Sequence, residues 1–166
     1  MRPPAGPAAH PLTARGLIRD RQGRWLLVRR VGDECWQLPG SGIEQDEPPR
    51  RACRREIREE LGLDLPPGVL LAVGWNPPRR DGRRVRVSFI FDMGSHDADD
   101  LAGCIRLQLE ELTAWRWAQP CDALALLHPD IAARLADHHP DTPPATRTAV
   151  YIEHQPAAAL APPMAP

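Results

Sequence analysis

Residues 36–63 read WQLPGSGIEQDEPPRRACRREIREELGL, and this stretch decides the fold. Its last third predicts a helix in which Glu56, Glu59 and Glu60 stand at i, i+3 and i+4. At about 100° per residue, these carboxylates share an arc of roughly 100° on one side of the helix. Like charges so close together repel and raise one another's pKa. The cluster therefore predicts a shared cation.

An apolar stripe beside the glutamates, made by Cys53, Ile57 and Leu61, predicts that the helix docks on a core. Prolines after Glu47 suit the first helical turn, and Gly62 suits the end of the helix. The preceding loop, residues 38–42, reads LPGSG and presents bare backbone. Its carbonyl oxygens suit the coordination sphere of a magnesium ion.

The stretch resembles the signature of the Nudix hydrolases. That signature is a glycine, five residues, a glutamate, seven residues, and then Arg-Glu-apolar-x-Glu-Glu-x-Gly-apolar. Residues 55–63, REIREELGL, supply the last part, and Glu47 stands at the isolated glutamate. Every defined position matches except the first, where Ser41 replaces glycine. A solvated charged helix, the ordinary meaning of a charge run, explains neither the glycines nor the spacing.

The resemblance implies an α/β/α sandwich around a mixed β-sheet. It also implies hydrolysis of a diphosphate bond in a nucleoside diphosphate derivative by water attack at phosphorus, with Mg²⁺ or Mn²⁺ as cofactor. Such ions neutralise phosphate oxygens and lower the pKa of a bound water. The expected metal ligands are Glu56, Glu59, Glu60 and the carbonyl of Ser41. The expected structural supports of the site are Glu47, Arg55, Gly40, Gly42 and Gly62.

Ser41 is the one departure from the signature. If its position requires a positive φ, serine costs about 1 kcal/mol relative to glycine. The backbone carbonyl survives the change, so the departure bears on rate and metal geometry more than on the class of reaction.

A general base is expected outside the signature, as is frequent in the family. Glu110 and Glu111, just before a predicted strand, are the first candidates. The acids of the loop at 94–103 come next, namely Asp97, Asp99 and Asp100. Glu59 itself, and with it Glu60, stays among the catalytic candidates.

The sequence also indicates candidate substrate contacts. Five arginines flank the turn at 81–82 and suit phosphate groups, although a solvated hairpin tip is commoner: Arg79, Arg80, Arg83, Arg84 and Arg86. Trp75 and Trp36 suit the stacking of a base, although buried core tryptophans are commoner. Pro78 stands where relatives that hydrolyse ADP-ribose carry a proline.

Composition bounds the class of protein. The 166 residues suit one domain, the formal net charge is −1, and every Lys/Arg position is Arg, which is typical of a GC-rich bacterial coding bias. Nothing in this balance indicates nucleic acid, and no apolar segment suits a signal peptide or a membrane span. Four cysteines without CxxC spacing predict neither zinc nor disulfides, so a reducing cytoplasm is the expected location. The sequence leaves open whether the chain forms a homodimer.

The order of elements follows from periodicity and turn residues. Strands are predicted at 12–20, 25–30, 36–38, 69–75, 84–93 and 113–118, and helices at 121–127 and 130–138. Strand 84–93 is apolar on both faces in its second half, which predicts a central place in the sheet. The predicted organisation is a flexible segment at 1–11, a Nudix hydrolase domain at 12–139, and a Pro/Ala-rich extension at 140–166 with a candidate edge strand at 147–153.

Three functions are consistent with the sequence. The first is a metal-dependent pyrophosphohydrolase, which the intact glutamate triad favours. The second is a non-hydrolytic Nudix module that binds a nucleotide or phosphosugar as a sensor, for which Ser41 leaves room. The third is an isomerase of prenyl diphosphates, which needs a catalytic cysteine motif that the sequence lacks.

Overall fold

The computed structural model describes residues 10–78, 82, 84–136 and 149–153, the last four by backbone only. The elements in chain order are β1 (Leu12–Asp20), β2 (Trp25–Arg30), α1 (Pro49–Leu61), β3 (Leu70–Asn76), β4 (Arg86–His96), α2 (Ala98–Cys104), β5 (Leu112–Ala118), α3 (Pro120–Leu126), α4 (Pro129–Leu135) and β6 (Val150–Glu153).

The strands form one mixed sheet in the order β5-β2-β1-β4-β3-β6. Strand β4 runs parallel to β1 and antiparallel to β3, and β6 runs parallel to β3 at the edge. The central place predicted for β4 is therefore confirmed. No helix among the described residues has the length and apolar character needed to cross a membrane.

Helices cover both faces of the sheet. One core cluster packs α1 and α2 against β1, β2 and β4, and a second packs α3 and α4 against the opposite face. The predicted α/β/α sandwich is therefore confirmed.

The close approach of α1 to the sheet depends on a missing side chain. Ile57 and Leu61 are fully buried, and burying each contributes roughly 1.5–3 kcal/mol. A Cβ at Gly16 of β1 would lie 2.5 Å from both Ile57 Cδ1 and Met93 Cγ. Glycine at this position lets the helix sit directly on β1, which fixes the height of the glutamates above the sheet.

The prediction of a loop at 94–103 is wrong. Strand β4 continues to His96, and α2 follows it. The Asp97 side chain accepts hydrogen bonds from the backbone N–H groups of Asp99 and Asp100, which caps the helix. Acidic residues in a first turn also suit the helix dipole. The acidic run therefore begins a helix, and Leu101 anchors it in the core.

Other boundaries differ by little. The strand predicted at 36–38 is reduced to isolated bridges to Val28 and Leu127. The helix predicted at 130–138 is described as α4, and its residues 137–138 lie outside the described residues. Strand β6 falls within the range 147–153, whereas 1–9 and 154–166 lie outside the description.

Candidate active site

The glutamate arc of α1 is formed as the spacing predicts, and its three members differ in exposure. Glu60 is fully buried and Glu56 nearly so, whereas the Glu59 side chain is 52% exposed. Burial raises the pKa of both Glu56 and Glu60 above the ordinary value, although neighbouring arginines act in the opposite direction. Two buried carboxylates whose ionised forms are disfavoured are suited to a cationic ligand.

Arg55 joins the signature loop to this arc. Its Nε and Nη2 donate to the two carboxylate oxygens of Glu47 at 3.0 and 2.8 Å. Its Nη1 donates to Glu56 Oε1 at 2.9 Å and to Glu59 Oε2 at 3.1 Å, and Nη2 also reaches the Gly42 carbonyl at 3.1 Å. The bonds with Arg55 hold the pKa of Glu47 below its ordinary value. The pairings expected for Arg55 are therefore present, and they support the loop.

Glu60 has a second set of partners. Its Oε1 accepts from Arg30 at the end of β2, and its Oε2 accepts from the backbone N–H of Gly40 at 2.7 Å. Arg30 also donates to Glu111 Oε2 at 3.0 Å. Sequence reasoning missed Arg30, because its role depends on β2 ending beside α1.

Of the two neighbouring acids outside the signature, only Glu111 reaches the cluster. Strand β5 pairs Leu112 with Arg30, which places Glu111 beside the Arg30 side chain. Glu110 is exposed and forms no ion pair with any other residue of the described part of the chain. Asp97 pairs with Arg21 just beyond the far end of β1, roughly 25 Å along that strand from Thr13, where the signature loop pairs. Asp99 and Asp100 follow it in the first turn of α2.

Gly40, rather than Ser41, carries the unusual backbone of the loop. Gly40 has a φ of 116°, and a Cβ there would overlap the Ala14 carbonyl oxygen. Ser41 is not among the described non-glycine residues with positive φ, so the strain considered for it does not arise. Its carbonyl accepts from the Ala14 N–H at 2.9 Å. The carbonyl of Gly40 faces Arg15 and Arg30, on the same side as Glu60.

A basic cleft opens beside this loop, on the face of the sheet that α4 covers. Its volume is about 810 Å³, and Ser41 and Gly42 form one end. Its cationic lining, which we call the arginine cleft, consists of Arg15, Arg30, Arg84, Arg86 and Arg134. Of these five, the sequence singled out Arg84 and Arg86 as phosphate contacts.

A model of the NUDIX domain matches residues 9–139. This chain belongs to the NUDIX family. It is 32% identical over 116 residues to an RNA pyrophosphohydrolase of Teredinibacter turnerae, covering 61% of this chain and 66% of that protein. It is 28% identical over 131 residues to a MutT-like protein of Streptomyces ambofaciens, covering 79% of this chain and 78% of the relative.

Solved NUDIX structures share the fold. The MutT NUDIX hydrolase of Burkholderia pseudomallei is 27% identical with a TM-score of 0.64, over 80% of this chain and 100% of that one. Matches to RNA pyrophosphohydrolases span between 26% and 66% of the length of those relatives.

NUDIX hydrolases generally use divalent metal ions, and the carboxylates of this chain fit one. The described residues contain no group of three or more His, Cys, Asp or Glu side chains already gathered for an ion. Oxygens of Glu56 and Glu59 nevertheless converge on a single cationic atom, Arg55 Nη1. Carboxylate oxygens that converge in this way are the donors that a hard divalent ion accepts. Arg55 thus compensates the charge that such an ion would otherwise neutralise.

The predicted substrate contacts of this NUDIX domain lie in different places. Arg84 lines the cleft, and Arg83 lies outside the described residues. Pro77 lines the cleft, and its neighbour Pro78 is exposed. Neither tryptophan is among the described residues that line the cleft. Trp75 packs edge-on against His10, with ring centroids 5.5 Å apart. The guanidinium carbons of Arg29 and Arg116 lie 5.3 and 5.6 Å from the centroid of the Trp36 ring.

Proposed function

We propose that this protein is a metal-dependent pyrophosphohydrolase that cleaves a diphosphate bond in a nucleoside diphosphate derivative, with Mg²⁺ or Mn²⁺ as cofactor. The observation that carries the proposal is the buried Glu56–Glu60 pair, which Arg55 and Arg30 hold by ion pairs, since Arg30 also lines the basic cleft. A divalent ion at these carboxylates would neutralise phosphate oxygens and lower the pKa of a water. The names of the relatives agree with this class of reaction.

The reaction breaks one bond and forms another. A water oxygen attacks one phosphorus of the diphosphate, the bond from that phosphorus to the bridging oxygen breaks, and the bridging oxygen leaves with the other phosphate. The water proton passes to a carboxylate. We assign this proton to Glu111 or Glu59, since both are partly exposed and each bonds an arginine of the cluster.

The remaining residues orient the reacting groups. Arg55 and Glu47 hold the signature loop on α1, and the Gly40 N–H holds Glu60. We propose the metal ligands to be Glu56, Glu59 and Glu60 together with a loop carbonyl. Both loop carbonyls accept hydrogen bonds, that of Ser41 from the Ala14 N–H and that of Gly40 from Arg15 and Arg30, and we keep the Ser41 carbonyl as the proposed ligand.

Two alternatives are less well supported. The isomerase needs a reactive thiol, and burial raises the pKa of Cys53, the cysteine within 36–63, to about 12. A non-hydrolytic sensor would not need the buried carboxylate pair.

The four cysteines are free, which supports the proposed reducing cytoplasm.

A substrate panel tests the proposal. Nucleoside diphosphates and triphosphates, sugar nucleotides and RNA with a 5′-triphosphate would be incubated with the full chain and Mg²⁺ or Mn²⁺, with release of phosphate and pyrophosphate as the readout. We expect turnover that chelation stops and that Glu111→Gln reduces, whereas its neighbour Glu110→Gln, a matched control, retains it. Binding without turnover across the panel would favour the sensor instead.

A further inference from the structure

The inner end of the arginine cleft holds a buried guanidinium. Arg134 of α4 is 2% exposed and lies flat against β3, where a Cβ at Gly74 would overlap its guanidinium. Its Nη2 donates to Asn76 Oδ1 at 2.5 Å, whereas its buried Nε has no hydrogen-bond partner among the residues that the structure describes. Gly74 thus provides space for a cation whose donors are only partly used.

This cation is not neutralised by a direct ion pair. Among the described residues, Arg134 has no carboxylate within 4.0 Å; the Asp130 charge favours the cation and the Arg86 charge opposes it. Burial lowers the pKa of Arg134 to about 10, so it remains charged at neutral pH. Arg15 differs in part, since it is half-buried and the Glu60 carboxylate acts on it, although it donates to the carbonyls of Leu38 and Gly40 and burial lowers its pKa to about 10. Buried cations without anionic partners are costly to a fold unless a ligand completes them.

Arg134 and the signature loop lie at different positions across the width of the sheet. The loop pairs with β1 through Thr13 and Gly42, and β4 and then β3 follow across the sheet. Three inter-strand spacings correspond to roughly 14 Å. That span is longer than a diphosphate group. A phosphate at Arg134 is therefore not one of the two phosphates that react beside α1.

The lining of this end favours phosphate over a nucleobase. No tryptophan, tyrosine or phenylalanine lines the arginine cleft within the part of the chain that is described. Arg86 stands opposite Asn76 in the β3–β4 pairing, and Ser88 adds a hydroxyl on the same wall. Guanidinium groups with amide and hydroxyl neighbours bind phosphate by charge-assisted, bidentate hydrogen bonds.

We propose that Arg134 and Arg86, with Asn76 and Ser88, bind a second phosphate group of the substrate, separate from the diphosphate that is hydrolysed. The inference rests on the proposed function in placing both groups on one substrate. A phosphate monoester and an internal phosphodiester of an oligonucleotide share this chemistry.

Binding without turnover provides the first test. Inorganic phosphate would be titrated into the full chain in EDTA, with heat and Tm as readouts. We expect Arg86→Gln and Arg134→Gln to weaken binding roughly 10- to 100-fold, and Arg21→Gln, an exposed arginine at the far end of β1, to leave it unchanged. If Arg134→Gln does not fold, phosphate binding by Arg86→Gln decides the result, since Arg86 is exposed. No binding by the wild type, or an equal loss in Arg21→Gln, would overturn the proposal.

Kinetics provide the second test and identify the source of the phosphate. The substrates are a nucleoside 5′-triphosphate, the same compound with a 3′-phosphate, and the corresponding 5′-triphosphorylated dinucleotide. We expect an added phosphate to lower KM about tenfold or more in the wild type but not in Arg86→Gln, with kcat little changed. The compound with the lower KM identifies a monoester or a diester. Equal KM values for all three overturn this site while leaving hydrolysis intact. Phosphate binding without any hydrolysis overturns the proposed function and leaves a phosphate site that no longer belongs to a hydrolysed substrate.

Discussion

Replacing Glu60 by glutamine separates the structural role of this residue from its role in metal binding. Glutamine keeps the shape and can still accept from the Gly40 N–H, but it loses the charged bond with Arg30. Bonds to charged groups contribute about 1.5–3 kcal/mol. Part of this loss is offset, because burial disfavours the Glu60 carboxylate and because Arg30 keeps Glu111.

We therefore expect a net cost of about 1–2 kcal/mol in chelator, or a Tm lower by roughly 2–8 °C for a chain of this length. A divalent ion at about one hundred times its Kd stabilises the wild type by about 2.7 kcal/mol, or roughly 5–11 °C. The variant should lose most of that gain.

Differential scanning fluorimetry with and without Mg²⁺ or Mn²⁺ measures both effects. Glu110→Gln is the control, since Glu110 is exposed and one residue from Glu111, and it should keep the full metal-induced shift. An unchanged shift in Glu60→Gln would remove Glu60 from the metal site.

Two further predictions concern the loop and pH. Ser41→Gly should leave turnover little changed, because Ser41 has no strained backbone to relieve and its carbonyl is kept. Gly40→Ala should destabilise the chain by about 1–3 kcal/mol, because its Cβ meets Ala14. Thermal unfolding and activity of both variants check this, and a large loss in Ser41→Gly would mean that its hydroxyl takes part. Because the folded-state pKa of Glu56 is raised, its stabilising contribution is present at low pH and lost as pH rises through that pKa. In chelator, the Tm advantage of the wild type over Glu56→Gln should therefore shrink as the pH rises above the ordinary pKa of a glutamate, about 4.3, and a difference that grows would contradict the sign.

The sequence predicted the local parts of the site because they depend on helical spacing. The glutamate arc, the docking stripe with Ile57, and the pairing of Arg55 with Glu47 all lie within one contiguous stretch. The place of β4 followed from its apolar faces.

The parts that it could not predict depend on pairing across the sheet. Glu111, rather than Glu110, reaches the site because β5 pairs Leu112 with Arg30. Arg134 contacts β3 because α4 packs on that strand. Nothing in the sequence around Gly74 indicates that this glycine leaves space for the Arg134 side chain. The positive φ of Gly40 likewise depends on its contact with Ala14, so the sequence assigned the strain to its neighbour.

Steady-state kinetics of Glu59→Gln test the central claim most directly. The Glu59 side chain is 52% exposed and its bond is to Arg55, so the substitution leaves the core intact and reports on chemistry. Once the panel has supplied a substrate, we predict that kcat falls about 10²-fold or more while KM changes little, because a metal ligand acts on charge that develops in the transition state. A near-normal kcat in Glu59→Gln, with kcat collapsing instead in Arg84→Ala, would contradict the account and move the reaction from α1 into the arginine cleft.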